Sequence, residues 1–285
     1  MDRAIAGALE RALGARVVDA SRVSGGDIHD AWRVELADGR RVFVKSARGA
    51  GDPETFPCEA RGLAWLGEGP LRVPRVLAVE PRFLALEWIE RGRPARDADE
   101  ALGRGLAALH RLGASGFGLD HDNFLATIRQ DNAREDDWPT FYGRRRLEPL
   151  VRAAIARGAS SPSMVRAVER VIAELTRLCG PAELPSRLHG DLWSGNRMHD
   201  EQGAPVLFDP AVYGGHREID LAMMQLFGGF SERVFDAYDE AFPRAPGHEA
   251  RVPLYQLLPL LAHAVLFGRS YAASAEDAAR RALAG

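Results

Sequence analysis

The sequence is almost without lysine. Of its 37 basic residues 36 are arginine, and Lys45 alone carries an ammonium side chain. Cysteine is scarce too: Cys58 and Cys179 lie far apart with no paired spacing, which argues against a disulfide scaffold or a cysteine-ligated metal and fits a reducing cytoplasm. The net charge is only −3 over 285 residues, which argues against a nucleic-acid partner held by electrostatics. No long apolar run is free of breakers. The longest, VPLYQLLPLLAHAVLFG, contains Pro253, Pro259 and His263; it is too short and broken to span a membrane comfortably and reads as a buried helix. The opening MDRAIAGALERALGARVV is an amphipathic helix ending near Gly14, interrupted by Asp2, Glu10 and arginines, rather than a secretion signal. A soluble, cytoplasmic, monomeric protein is expected, with no membrane or nucleic-acid partner.

What is present is ordinary globular material, 46% hydrophobic and 27% charged, enough for one large or two medium domains. The first third reads as strands around one helix. Residues 17–24, 31–37 and 41–47 are valine-rich and alternate in polarity, and Asp38-Gly39 marks a hairpin between the last two. A short helix follows in ETFPCEARGLAWLGEG, then two strands in RVLAVE and FLALEWI joined at Pro81. Beyond ERGRP, helices are expected near 98–112, 138–157, 162–178, 218–227, 231–242 and 254–269, flanking a loop-and-strand stretch from 187 to 217. This is an α+β pattern: a small antiparallel-sheet lobe over 1–90 and a large helical lobe over 91–285.

The chemistry is concentrated in LHGDLWSGN and PVLFDPA. Asp191 precedes Asn196 by five residues and Asp209 by eighteen. Protein kinases space a catalytic Asp, an Asn and a metal-binding Asp in this way. Phosphoryl transfer asks for these residue types: one carboxylate accepts the proton of the attacking hydroxyl, while an amide oxygen and a second carboxylate hold Mg²⁺ against the phosphates of ATP. Singly, each is more often a turn or cap residue. Together they give Lys45 a purpose, because a kinase needs a strand lysine on the ATP phosphates paired with a helix glutamate. Glu59 is the natural partner and Glu54 the fallback.

Strand alternation puts Phe43 on the face of Lys45, where it would roof the nucleotide, though core packing explains it nearly as well. Gly25 and Gly26 stand where a phosphate-covering hairpin belongs, beside an awkward Asp27. Glu87, Trp88 and Ile89 end the sheet lobe where an adenine-binding hinge would sit. Trp193 is a candidate to stack on a sugar. His216 and Arg217 are candidates for substrate contact, with a structural role at least as good an account. Asp220 reads as a brace for the catalytic loop, Trp138 and Tyr142 as core residues, and GRRRL as a solvated basic helix face.

The stretches SGGDIHDAWRVEL, VFVKSA, FGLDHDNF, DDWPTFYGRRRL, LHGDLWSGN and FDPAVYGGHREIDLAMMQLFGGF resemble one family over nearly the whole chain. It is similar to the fructosamine (ketosamine-3-) kinases, within the protein-kinase-like group that includes aminoglycoside phosphotransferases. The resemblance implies a bilobal protein-kinase-like fold and ATP- and Mg²⁺-dependent phosphorylation of the sugar 3-hydroxyl of ketosamines. The phosphorylated adduct then falls apart and frees the amine, a deglycation repair. It also implies that Asp191 is the proton acceptor, Asn196 and Asp209 the metal ligands, and Glu87 to Ile89 the hinge. Two departures matter. Asp27 stands where many members have cysteine, so no thiol switch is expected in that loop. Asp209 is followed by Pro-Ala rather than Phe-Gly, so a mobile activation loop is not expected. A kinase for another small hydroxyl compound, such as an aminoglycoside, is the alternative enzyme; a silent nucleotide-binding module is the alternative of another class.

Overall fold

In the computed structural model, residues 1–23, 29–49 and 51–285 are described. Asp2 starts the first helix by accepting the Ala4 N–H at 3.0 Å, and Gly14 ends it in the left-handed region at φ +67°. Ile5, Ala8 and Leu9 form the buried face of this helix, α1 (Arg3–Leu13). They cover one side of an antiparallel sheet of β1 (Val17–Arg22), β2 (Asp30–Leu36), β3 (Arg41–Ser46), β4 (Val76–Glu80) and β5 (Phe83–Glu87). The spatial order is β1-β2-β3-β5-β4. The Asp38-Gly39 hairpin forms as expected, with Gly39 at φ +84° and Val34 opposite Val42.

Alternation then sorts the side chains between two faces. Val34, Leu36, Val42 and Val44 pack toward α1. On the other face α2 (Thr55–Leu66) packs Phe56, Ala60 and Leu63 against Leu84 and Leu86, and partly covers Phe43. Lys45 points to this second face, between α2 and the remainder of the chain.

From Ala98 the chain is mainly helical. α3 (Ala98–Arg111) leads to a short hairpin of β6 (Asn123–Leu125) and β7 (Ile128–Gln130), then α4 (Trp138–Phe141), a π-helical stretch over Tyr142–Leu147, α5 (Glu148–Ala156), α6 (Pro162–Ala173) and α7 (Leu175–Leu178). Short strands follow: β8 (Ser186–Leu188), β9 (Arg197–His199), β10 (Pro205–Leu207) and β11 (Tyr213–Gly215). The chain ends in α8 (Glu218–Leu226), α9 (Glu232–Ala241), α10 (His248–Phe267) and α11 (Ser270–Ala284). The largest core cluster gathers around α10, with Leu254, Tyr255, Leu257, Leu258 and Leu261 all buried.

Two expectations change. α10 begins at His248 rather than near residue 254, so Pro253 as well as Pro259 lies inside it. By length and composition it could cross a membrane, yet 67% of its apolar window is buried inside the protein, as a core helix requires. The GRRRL segment is not a uniformly solvated face. The π-helical turn swings Arg146 inward until it is 1% exposed, its guanidinium 4.0 Å from the Tyr213 ring and 4.6 Å from that of Phe141. Arg145 pairs with Glu135, and Trp138 and Tyr142 are core residues as read.

Candidate active site

Strand β3 delivers Lys45 to the gap between the sheet and the helices. Its Nζ lies 2.6 Å from Glu59 Oε1 on α2 and also contacts Asp209 Oδ1 across the gap. Burial alone would lower the Lys45 pKa, but the Asp209 and Glu59 carboxylates outweigh it and raise the value, so the ammonium stays charged. Glu54 stays at the exposed start of α2 and pairs with Arg61. Phe43, two residues before Lys45 on the same face, lies opposite Leu86 in β5. At the end of β5 the Glu87 N–H donates to Arg75 O at 2.9 Å, and its carboxylate accepts from Arg75 Nε at 2.8 Å. Next to it, the Arg33 guanidinium lies 5.6 Å from the Trp88 ring, and Ile89 is buried. Gly25, Gly26 and Asp27 lie outside the described residues. His29, just beyond them, went unnoticed in the sequence. Its ring is 4.8 Å from that of Phe56, and burial followed by the Lys45 charge lowers its pKa.

The opposing wall is the loop after β8. Gly190 adopts φ +83°, and a Cβ there would lie 2.0 Å from Ala211 O, so glycine is what lets the two segments cross. Asp220, buried at the start of α8, accepts the N–H groups of His189 at 2.8 Å and Gly190 at 2.9 Å, and lies 3.2 Å from His110 Nε2. This is the loop brace expected of it. Burial would raise its pKa; the His110 contact and charge, with the backbone donors, hold it below the usual carboxylate range. His189 Nε2 donates to Phe208 O at 3.1 Å, which leaves Nδ1 to accept the Asp191 N–H at 3.3 Å.

Asn196 Nδ2 donates to Asp191 O at 2.9 Å and to Asp191 Oδ2 at 3.0 Å. Since a carbonyl only accepts, this fixes the amide, and Asn196 Oδ1 has no partner among the described residues. Asp209 sits at φ +57°, a left-handed conformation that costs a non-glycine residue energy and persists where surroundings enforce it. Burial, then the neighbouring Asp209 charge, pushes Asp191 up to about 7. The Asp191 and Asp209 carboxylates and the Asn196 amide thus lie close together. Hard oxygen donors in this number suit Mg²⁺, which takes one or two carboxylates and completes its shell with water and phosphate oxygens. The donor set fits the metal.

A model of the fructosamine kinase family matches residues 1–285. A Lactiplantibacillus plantarum protein named "Probable ketoamine kinase" is 39% identical, covering 87% of this chain and 89% of that one. The chloroplastic protein-ribulosamine 3-kinase of Arabidopsis thaliana is 35% identical, covering 89% of this chain and 79% of that one. A solved Thermobifida fusca structure, provisionally named a fructosamine-3-kinase, superposes with a TM-score of 0.93 at 41% identity over 100% of both chains. The chain belongs to the fructosamine kinase family. Its small antiparallel sheet and large helical part form the protein-kinase-like arrangement that the sequence implied.

In this family member Lys45, Glu59, Asp191, Asn196 and Asp209 converge, and Trp193 stands at the edge of the same loop, 40% exposed. His216 and Arg217 do not join them. Both are 3% exposed and turned into the core. Arg217 is held by Glu183 at 2.8 and 2.9 Å and by the carbonyls of Phe242 and Pro243, and the His216 ring stacks 5.1 Å from Tyr255. The β11–α8 connection directs these side chains away from the gap, so the structural role wins over substrate contact. Replacing Arg217 with alanine should cost about 3–5 kcal/mol, by leaving Glu183 and two carbonyls without their donor. Denaturant melts would register that loss, while the KM for acceptor in the folded fraction should stay put.

The sequence reading also missed a polar chain behind the site. Arg146 donates to Asn132 Oδ1 at 2.5 Å, Asn132 Nδ2 to Asn123 Oδ1 at 3.0 Å, and Asn123 Nδ2 to Val212 O at 2.7 Å, three residues after Asp209. From the same hairpin, Asp122 O accepts from Cys58 Sγ at 3.2 Å, beside Glu59. FGLDHDNF therefore braces both α2 and the Asp209 segment. The cluster of Asp120, Asp122 and Asn123 in that motif was its only signal in the sequence.

Proposed function

We propose that the protein is an ATP-dependent kinase acting on ketoamines, phosphorylating the sugar 3-hydroxyl and so initiating release of the amine. The observation that carries this reading is the meeting of Lys45, Glu59, Asp191, Asn196 and Asp209 at one gap in a member of this family. Lys45, oriented by Glu59, would grip the ATP phosphates beneath Phe43, with Gly25 and Gly26 covering them. Glu87, Trp88 and Ile89 would receive the adenine, which places the hinge between the lobes close to residue 90. Asn196 and Asp209 would hold Mg²⁺, which when bound neutralises phosphate charge.

In the transfer itself the acceptor hydroxyl passes its proton to an Asp191 carboxylate oxygen. The hydroxyl oxygen bonds to the γ-phosphorus as the bond to the ADP oxygen breaks. A base whose pKa is lifted toward neutrality holds that proton better than an ordinary aspartate. Trp193, beside Asp191 and exposed, would stack on the sugar. The Asp220 brace keeps the loop in register without touching substrate.

ATP consumption across fructosamine, ribulosamine, erythrulosamine and aminoglycoside acceptors tests the reading. Turnover should appear with at least one ketoamine, require Mg²⁺, and leave a phosphate on the sugar 3-oxygen. Turnover of aminoglycosides with none of ketoamines would replace it by the alternative kinase, and ATP binding without turnover of any acceptor by a silent module.

A further inference from the structure

The aromatic surface does not end at Trp193. Phe227 lies edge-on to it at 6.5 Å, His263 is 4.9 Å from Phe227, and Phe267 and Tyr271 are 5.3 and 5.0 Å from His263. Three stretches of chain supply these rings: the catalytic loop, the end of α8, and residues 263–271, where α10 gives way to α11. Phe227 is 40% and Phe267 56% exposed, so the row opens to solvent at its far end. Every other exposed large apolar side chain among the described residues is aliphatic. Single exposed apolar residues need no explanation, but a continuous aromatic row leading from a site does.

The row is fixed to the catalytic loop. Gly229, at φ +88°, lies so close to Ser194 that a Cβ would come within 2.6 Å of the serine Cβ. His263 contributes a defined polarity. Its Nδ1 lies 2.7 Å from Pro259 O and must donate to that carbonyl, so Nε2 keeps its lone pair and has no partner among the described residues. Burial lowers the pKa of this ring, which keeps it neutral. The row thus offers π faces, apolar edges and one neutral acceptor. A glycated lysine presents the matching parts: a secondary amine, cationic at neutral pH, on an alkyl stem. Cations favour aromatic faces, and alkyl stems favour apolar cover.

We propose that Phe227, His263, Phe267 and Tyr271 form the subsite for the amine half of the acceptor. A lysine-derived alkylamine lies along them while its sugar sits between Asp191 and Trp193. This rests on the ketoamine-kinase reading above. The open end at Phe267 lets a polypeptide continue outward, so glycated lysine within a peptide chain fits as well as the free amino acid.

The test compares kcat/KM for two ribulose adducts, one of methylamine and one of the ε-amine of Nα-acetyl-lysine amide. The proteins are wild type, Phe267→Ala, and Phe267→Ala/Tyr271→Ala. The double variant should lose about tenfold on the lysine adduct, through KM with kcat held, and stay within about twofold on the methylamine adduct. If the double variant folds poorly, Phe267→Ala alone, at an exposed position, should show the same selectivity with a loss of about threefold. Equal losses on both adducts, or no loss on the lysine adduct, would overturn the subsite. A wild type idle on both adducts would instead overturn the ketoamine reading on which it rests, so the two failures are told apart.

Discussion

Asp191→Asn is expected to lower kcat by about 10²- to 10⁴-fold while ATP binding persists. Asparagine keeps the volume of aspartate and one acceptor oxygen, so the Asn196 contact at 3.0 Å and the loop held by Asp220 can survive. What disappears is a group able to take the acceptor's proton. Single-turnover kinetics beside nucleotide titration would separate the two effects, and a variant retaining more than about half of wild-type kcat would remove Asp191 from the role. The same substitution has a second consequence in the protein free of nucleotide and metal. Asp191 is pushed up to about 7 by burial and by Asp209. A carboxyl whose folded pKa exceeds its unfolded value lets stability fall as pH rises from the unfolded to the folded pKa. The cost is absent at about pH 3 and complete above about pH 7. Asp191→Asn should therefore melt several degrees above wild type at pH 8 and level with it at acid pH. Loss of activity accompanied by a gain in stability is the mark of a charge kept for chemistry.

Some of this architecture was legible because it is written in short-range signals. Asp38-Gly39 and the alternation of Val42 and Val44 fix a hairpin and two faces, and the faces dictate that Lys45 meets α2. The spacing of Asp191, Asn196 and Asp209 reads as one loop and one following strand, and both form. Other features depend on partners far away in sequence. Arg217 stays open between substrate contact and a structural role until Glu183 and the carbonyls of Phe242 and Pro243 are seen to surround it. Arg146 belongs to a run of three arginines, and only the π-helical turn decides that this one faces Tyr213. From the sequence α10 is expected to start only after Pro253, but it runs from His248, because it is packed from several sides and tertiary contacts outweigh one missing N–H. α11 went unassigned because its buried face is alanine, Ala272, Ala275, Ala278, Ala279 and Ala282, a stripe with little contrast against its exposed residues. His263, Phe267 and Tyr271 recur every four residues in one stretch, but their meeting with Phe227 and Trp193 depends on how three distant parts of the chain pack.

Lys45→Arg, the exchange that the rest of this sequence has made at every other basic position, is expected to cost on the order of 10²-fold in kcat/KM for ATP. The Lys45 ammonium sits at a single point that serves Glu59 at 2.6 Å and Asp209 together. Were the residue only an ion-pair strut, arginine would do as well or better. Its fork can address two carboxylates at once, and its charge is permanent. The melting temperature of Lys45→Arg should accordingly stay near that of wild type. A phosphate grip makes a different demand. A guanidinium is planar and wider than an ammonium, so meeting Glu59 on one edge shifts its charge away from the point where phosphate oxygens would be met. Displacement of a reacting group by about 1 Å is enough for a loss of this size. Stability and turnover therefore divide the two accounts of the lone lysine. If the arginine protein melts like wild type and turns over like wild type, Lys45 is a remnant that compositional drift has not reached. If it melts like wild type and barely turns over, the ammonium is kept because a point charge is what the phosphates require.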